Sequence, residues 1–140
     1  MIVDEGEELF LRILFQGDET VPVTDGNYYL GLCNNAIDEA QTLADVVEPK
    51  GNGYARQALS RSAAGFPSVV KSGNGFTITS KIVNFRADGG DFDIEVNRLF
   101  LCTSETGTAG KLLSYSAAMF TPIKLKQGAS IPVSYVVYLQ

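Results

Sequence analysis

The chain has 140 residues, of which 45% are hydrophobic and 19% are charged, and its formal net charge is −5 at pH 7. We expect one domain over residues 1–140, because a chain of this length buries about two-thirds of the surface that its unfolded form exposes. The composition excludes a disordered protein, and no apolar run approaches the ~20 residues that a membrane-spanning helix needs.

The charged residues predict where the protein is made and what it does not bind. Asp4, Glu5, Glu7 and Glu8 stand at the start of the chain, where a secretory signal would be basic. We therefore expect assembly in the cytoplasm and no membrane partner. The eleven lysines and arginines are scattered and are outnumbered by sixteen acidic residues, which argues against a nucleic-acid partner.

One helix is predicted over Glu5–Gln16, within an N-terminal segment of residues 1–17. Asp4 is placed to cap its first turn, Glu7 would complete a capping box, and Gly17 stands where a helix ends.

The predicted helix is apolar around most of its circumference, since only Glu8, Arg12 and Gln16 form a polar stripe. Such a helix should be buried on nearly every side. One sheet covers about half of a helix, so the remainder either completes the core or meets another subunit. The interface candidates on this helix are Leu9, Phe10, Leu11, Leu14 and Phe15.

Short strands broken by turns are predicted for the rest of the chain. A polar turn is expected over Asp18–Gly26, and Asn27–Cys33 should be the first strand. A long loop follows over residues 34–53, with a short helix over Ala36–Val47 as the competing interpretation. The later predicted strands are Tyr54–Ser60, Ser68–Lys71, a run from Phe76 to Phe85 with a β-bulge near Ile82–Asn84, Ile94–Thr103, Lys111–Ala117, Pro122–Leu125 and Ile131–Leu139.

Strands at this spacing, separated by glycine turns, predict an all-β fold: an antiparallel β-sandwich, either jelly-roll or Ig-like, with one short N-terminal helix. Ile94–Thr103 is apolar on both faces and should be the central strand. The last strand carries Val136 and Tyr138 on its outer face, so we expect a docking edge there.

The sequence offers little to catalysis. It contains no histidine, which removes Ser-His-Asp and Cys-His catalysis and histidine-dependent metal sites. The stretch Gly107–Lys111 is similar to a phosphate loop, but Leu112 stands where serine or threonine must hold magnesium. Asp88, Asp91 and Asp93 lack the calcium-loop spacing and favour a solvated turn. We predict no catalytic residue, no cofactor and no metal.

Two further sets of residues have alternative interpretations. Cys33 and Cys102 each follow a leucine in a predicted strand, so we expect buried, reduced thiols; a disulfide requires that the two strands be neighbours. Arg56 and Arg61 flank the strand that begins at Tyr54 and either bind an anionic partner or form salt bridges at the rim. Tyr54 and Arg56 complete the list of interface candidates.

Three blocks of the chain resemble small virion structural proteins of tailed bacteriophages. These are an N-terminal apolar helix before Tyr28–Leu32, then Gly51–Gln57, then Gly107–Leu113. A last strand after a Pro-x-x-Leu-x-x-Gly turn follows in the same order. The resemblance covers most of the chain, and its motifs are turns and strands, not catalytic signatures.

The resemblance implies a non-enzymatic β-sandwich subunit of the virion that decorates or cements the capsid surface. Its partners would be the major capsid protein or other virion proteins, and it would form a homo-oligomer, with a trimer expected. Two alternatives remain open: a tail, baseplate or fibre component, and a carbohydrate-binding or hydrolytic module. The absence of tryptophan argues against the second alternative, because sugar platforms favour large aromatic faces.

Overall fold

A computed structural model of the chain describes residues 1–17 and 26–139. Within these ranges the chain forms one α-helix, a single 3-10 turn at Leu43–Asp45, and nine β-strands. The elements are α1 (Asp4–Gln16), β1 (Asn27–Cys33), β2 (Gln57–Ser60), β3 (Ser68–Ser72), β4 (Gly75–Thr79), β5 (Val83–Arg86), β6 (Arg98–Cys102), β7 (Leu112–Tyr115), β8 (Ser130–Val133) and β9 (Val136–Leu139). Apart from Gly26, the turn predicted over Asp18–Gly26 lies outside the described residues.

The fold is mostly β, with antiparallel strand pairs throughout the described part of the chain. One sheet has four strands in the order β2-β1-β6-β7, a second has the order β3-β4-β9, and β5 pairs with β8. No helix in the described ranges is long and apolar enough to cross a membrane.

Strands β1 and β6 are neighbours at the centre of the four-stranded sheet and are buried on both faces. The prediction of a central strand near Ile94–Thr103 is confirmed for Arg98–Cys102. Alternate residues of the two strands belong to two apolar clusters. One cluster contains Leu30, Leu32, Leu99 and Leu101 together with Phe85, Phe92 and Val133 from the elements above them. The other contains Tyr29, Cys33, Phe100 and Cys102 together with Ile37 and Leu43.

The long loop after β1 therefore covers one face of the central sheet. Ile37 and Leu43 are almost fully buried against the second cluster, and Asn34 donates a backbone hydrogen bond to Val47 across the loop. The competing helix over Ala36–Val47 does not form; the 3-10 turn is the only helical piece of this segment.

The run predicted as one last strand, Ile131–Leu139, is two strands in different sheets. β8 pairs with β5, β9 pairs with β4, and both ribbons bend at the same corner. Ser80 N donates to Tyr135 O at 2.8 Å, and Tyr135 N donates to Ser80 Oγ at 2.8 Å. Between the two ribbons, residues 80–82 on one side lie opposite only residues 134–135 on the other. The extra residue moves the apolar side chains of the following strand from even-numbered to odd-numbered positions. That shift predicted a bulge within one strand, whereas the chain changes sheets.

Helix α1 begins one residue earlier than predicted and is anchored differently. Val3 is its N-cap residue, with no side-chain capping bond, so the predicted Asp4–Glu7 capping box does not form. Instead Val3 N donates to Leu113 O, and Glu5 accepts hydrogen bonds from Leu112 N and from the Lys111 ammonium group. Gly17 ends the helix in the left-handed conformation, as expected.

Only one side of α1 is buried, which corrects the expectation of burial on nearly every side. Gly6 and Leu9 are its buried residues, while Leu11, Leu14 and Phe15 are exposed. The cause is position: the helix lies at one end of the sheet beside β7, where only one face meets the core.

Gly6 sets the distance between α1 and β7. A Cβ atom at this position would lie within van der Waals overlap of the Leu113 carbonyl oxygen and 2.9 Å from its carbon. We predict that Gly6→Ala lowers the free energy of unfolding by about 1–3 kcal/mol, although alanine is the better helix former by about 1 kcal/mol. Urea unfolding measures this, with exposed Gln16→Ala as control, expected to change stability by less than about 0.5 kcal/mol. Equal stability of Gly6→Ala and wild type would contradict the close approach.

Cys33 and Cys102 are free and buried. They lie on neighbouring strands, but Cys102 pairs with Tyr29 and Cys33 pairs with Arg98. The four-residue offset separates the two positions by about 13 Å at roughly 3.3 Å per residue, too far for a disulfide.

Both thiols should be unreactive in the folded protein. Burial raises the pKa of Cys33 to about 12 and also raises the pKa of Cys102, so the nucleophilic thiolate is scarce near pH 8. We predict that a thiol-disulfide reagent labels neither cysteine in native buffer and labels both in denaturant. A Ser72→Cys variant, at an exposed strand position, supplies the positive control. Rapid native labelling of the wild type would show that the core opens readily.

Candidate protein-binding surfaces

An apolar groove of about 610 Å³ runs between α1 and one face of the β3-β4-β9 sheet. We call it the α1 groove. The helix contributes Phe10, Leu11, Ile13 and Leu14 to its lining, and the sheet contributes Ile78, Val137 and Leu139. Glu7 is the only charged residue among the described lining residues.

The strand register explains why the sheet presents this apolar face. Phe76 lies opposite Leu139 and Ile78 lies opposite Val137, so all four side chains share one face. In a core strand such residues would be covered, yet Phe76 and Leu139 are each 56% exposed and Leu14 across the groove is 74% exposed. A contiguous exposed apolar surface of this kind is typical of interaction sites.

The opposite face of the same sheet, which we call the β9 outer face, carries no charged residue. Val136 is 54% exposed and Tyr138 is 42% exposed, and Tyr138 lies opposite Thr77 in the neighbouring strand. Val70 is exposed on the same face. Strand β9 stands at the edge of its sheet, and its only strand partner within the described ranges is β4.

Strand β9 itself carries neither a charged residue nor a proline that would oppose pairing at this edge. Natural edge strands carry charged residues or proline against unwanted pairing. The chain has no charged residue from Gln127 to its end at Gln140, and the proline in that stretch lies in β8. The predicted interface residues Val136 and Tyr138 therefore lie on an open, uncharged strand.

Arg56, another interface candidate, lies in the interior and is 7% exposed. Its Nη2 atom is 2.6 Å from Glu48 Oε1, and its Nε atom donates to Glu48 Oε2 at 3.2 Å. The guanidinium also donates to the carbonyl oxygens of Ser104 and Gly107, each at 2.9 Å, and lies over the Phe100 ring at 5.4 Å. This is a buried pair with its donors satisfied, in place of the predicted rim contact.

Tyr54 belongs to the same network. Its hydroxyl donates to Glu48 Oε2 at 2.7 Å and accepts a hydrogen bond from Leu32 N at 3.0 Å. Burial, reinforced by the neighbouring Glu48 carboxylate, raises the pKa of Tyr54, so the hydroxyl stays protonated and keeps donating. Its ring packs against Phe85 and Phe92. Tyr54 and Arg56 therefore hold loops together and present no free group to a partner.

The helical candidates divide into two groups. Leu9 is buried in the core, and Phe10 is half-buried in the groove lining, whereas Leu11, Leu14 and Phe15 are exposed. The sequence interpretation missed Phe76 and Leu139, whose alternation predicted a strand but not that its apolar face would stay open.

The carboxylates that resembled metal ligands are used in turns. Asp91 accepts hydrogen bonds from the Lys126 ammonium group and from Gln127 N, and Asp93 accepts one from Lys50 N. Among residues 1–17 and 26–139 there is no group of three or more metal-binding side chains.

Comparison with known proteins adds no relative: no protein-family model matches the chain, and no curated protein matches it.

Breaking the Arg56–Glu48 pair should cost far more stability than breaking an exposed pair. Glu48→Gln leaves the buried guanidinium without its counter-charge, so we predict a loss of about 3 kcal/mol in the free energy of unfolding. The same change at Glu8, whose partner Arg12 is exposed, should cost less than about 1 kcal/mol. Urea unfolding of the two variants provides the comparison. Equal effects of the two substitutions would show that the buried network does not hold the loops.

Proposed function

We propose that this chain is a non-enzymatic structural protein of a tailed-bacteriophage virion, a decoration protein that binds neighbouring capsid subunits at the capsid surface. The observation that carries the proposal is the open, uncharged edge strand β9 with its exposed apolar outer face. The family resemblance of the sequence supplies the virion context.

A β-sandwich is part of the proposal. The first apolar cluster joins Leu30 and Leu99 of the central sheet to Phe85 and Val133 of the β5-β8 pair. This is the packing expected where one sheet lies face to face with another. The β3-β4-β9 sheet continues from that pair through the Ser80–Tyr135 corner.

Strand addition is the binding mode that β9 suits best. An exposed edge supplies unpaired backbone donors and acceptors to an extended segment of a partner, and contacts with the alternate side chains on the outer face give specificity. Val136 and Tyr138 would supply the apolar anchors, since aromatic and aliphatic side chains in the centre of an interface carry most of its binding energy.

The buried Arg56 network suits a subunit of this kind. It fixes the loops after β1 and after β6 to the central sheet, so the domain binds as a preformed body and loses little conformational entropy on docking. The polar groups of this network that the structure describes bond to one another, and we assign them a structural role.

Copy number tests the proposal. In purified virions, quantitative mass spectrometry should find this protein in constant proportion to the major capsid protein. A handful of copies per virion would overturn the capsid location and favour a tail, baseplate or fibre component.

Binding of variants to heads that lack the protein tests whether β9 is the docking edge. Val136→Lys should abolish binding, because a lysine on an edge strand opposes strand addition. Ile82→Lys changes a residue that is equally apolar and 70% exposed but lies outside β9, and it should bind like wild type. Binding by Val136→Lys at wild-type strength would exclude β9 as the docking edge.

A further inference from the structure

The α1 groove is a second apolar surface, separate from the β9 outer face. We propose that it is covered by α1 of a second copy of this chain, so that the protein forms a two-fold dimer in which each helix lies across the sheet of the other. This inference goes beyond capsid binding, which uses the opposite face of β9.

The first argument is self-complementarity. Leu11 and Leu14 line the groove and are also the exposed apolar residues of the helix beside it. The helix residues that would enter the groove of a second copy thus belong to the same continuous apolar patch as the groove that would receive them. A patch of this kind is buried completely by a two-fold axis, which sets the same surface of both copies against each other. The geometry therefore points to a pair, in place of the trimer that the family resemblance implies.

The second argument is charge complementarity. Residues 1–48 contain eleven acidic residues and one basic residue, whereas residues 49–87 contain six basic residues and no acidic residue. Helix α1 carries four acidic residues and one basic residue, whereas the β3-β4 hairpin across the groove carries Lys71 as its one charged residue. A two-fold pairing brings the acidic helix of one copy to the basic hairpin of the other.

One charged residue lines the groove, and one of opposite sign lies on the neighbouring part of the same sheet face. Glu7 is exposed and lines the helical side of the groove. Lys71 is exposed on β3, opposite Phe76 and on the same face of the sheet. Neither forms an ion pair with another described residue, so both are available to a second copy.

The groove is an open surface, and this favours a helix over a small ligand. It continues to the exposed Phe76, which lies opposite Leu139, and to the last turn of α1. An open apolar groove suits the apolar face of a helix, whereas a pocket for a small ligand encloses most of the ligand's surface.

Sedimentation velocity over a concentration series tests the dimer. Wild-type protein should sediment as a dimer that dissociates on dilution. Leu14→Asp and Phe76→Asp should each weaken the dimer at least about 100-fold, because the two-fold axis removes the buried apolar side chain from both copies. Both residues are more than half exposed in one copy, so the monomer should keep its fold, which circular dichroism verifies.

Two controls separate the groove from other apolar surfaces. Ile82→Asp changes an exposed apolar residue outside the groove, and Val136→Lys changes the β9 outer face; both should remain dimers. A monomeric wild type, a trimer, or groove variants that associate like wild type would overturn the proposal.

Cross-linking locates the contact. A Leu14→Cys chain mixed with an isotope-labelled Phe76→Cys chain should give a mixed disulfide under mild oxidation, since the helix of one copy meets the sheet of the other. The native cysteines are buried and should not compete. A mixture of Ile82→Cys and Phe76→Cys chains should give none. Absence of the Leu14–Phe76 product, or its equal formation by the Ile82 mixture, would exclude helix exchange.

Discussion

Burial of β1 and β6 on both faces is the constraint on which the rest of the fold depends. Each of the two apolar faces must be covered, and different parts of the chain pack against them. The β5-β8 pair, Phe92 and Leu9 cover one face. The loop between β1 and β2 covers the other with Ile37 and Leu43. A loop of this length in a compact domain is uncommon unless it has a function. Here the loop covers the sheet face that the β5-β8 pair does not cover.

A loop that packs on a sheet forms few of the backbone hydrogen bonds that join neighbouring strands, so other interactions must hold it in position. Glu48 stands at the end of the loop and binds both Arg56 and Tyr54, while Arg56 reaches the turn after β6 through Gly107. A buried charge pair contributes little net stability compared with apolar residues of the same shape, but separating its partners is costly because one charge is left uncompensated. The network therefore selects one loop conformation. The side chains of Arg56, Glu48 and Tyr54 are thereby bound to one another.

The sequence patterns predicted the elements that depend on local signals. The bounds of β1, the glycine end of α1 and the central position of β6 follow from alternation, from a left-handed glycine and from apolar residues on both faces. The patterns did not predict events that join distant parts of the chain. The sequence leaves Arg56 between a contact with an anionic partner and a salt bridge at the rim, because its partner Glu48 sits in a segment without periodicity. Ile131–Leu139 was expected to be one strand because the break at Ser134–Tyr135 is made by Ser80. Alternation also cannot distinguish a covered apolar face from an open one, which is why Phe76 was missed.

The open groove has a definite structural cause. Gly6 lets α1 approach the β7 backbone so closely that no Cβ atom fits between them, and Val3 and Glu5 fix the start of the helix to the same strand. A helix held at that end of the sheet buries Leu9 but cannot also reach the β3-β4-β9 sheet. Leu11 and Leu14 therefore face Val137 and Leu139 across an open space instead of packing on them. The contact that attaches the helix to the core is thus the one that keeps the groove open, and a larger residue at position 6 would change the shape of the groove as well as the stability.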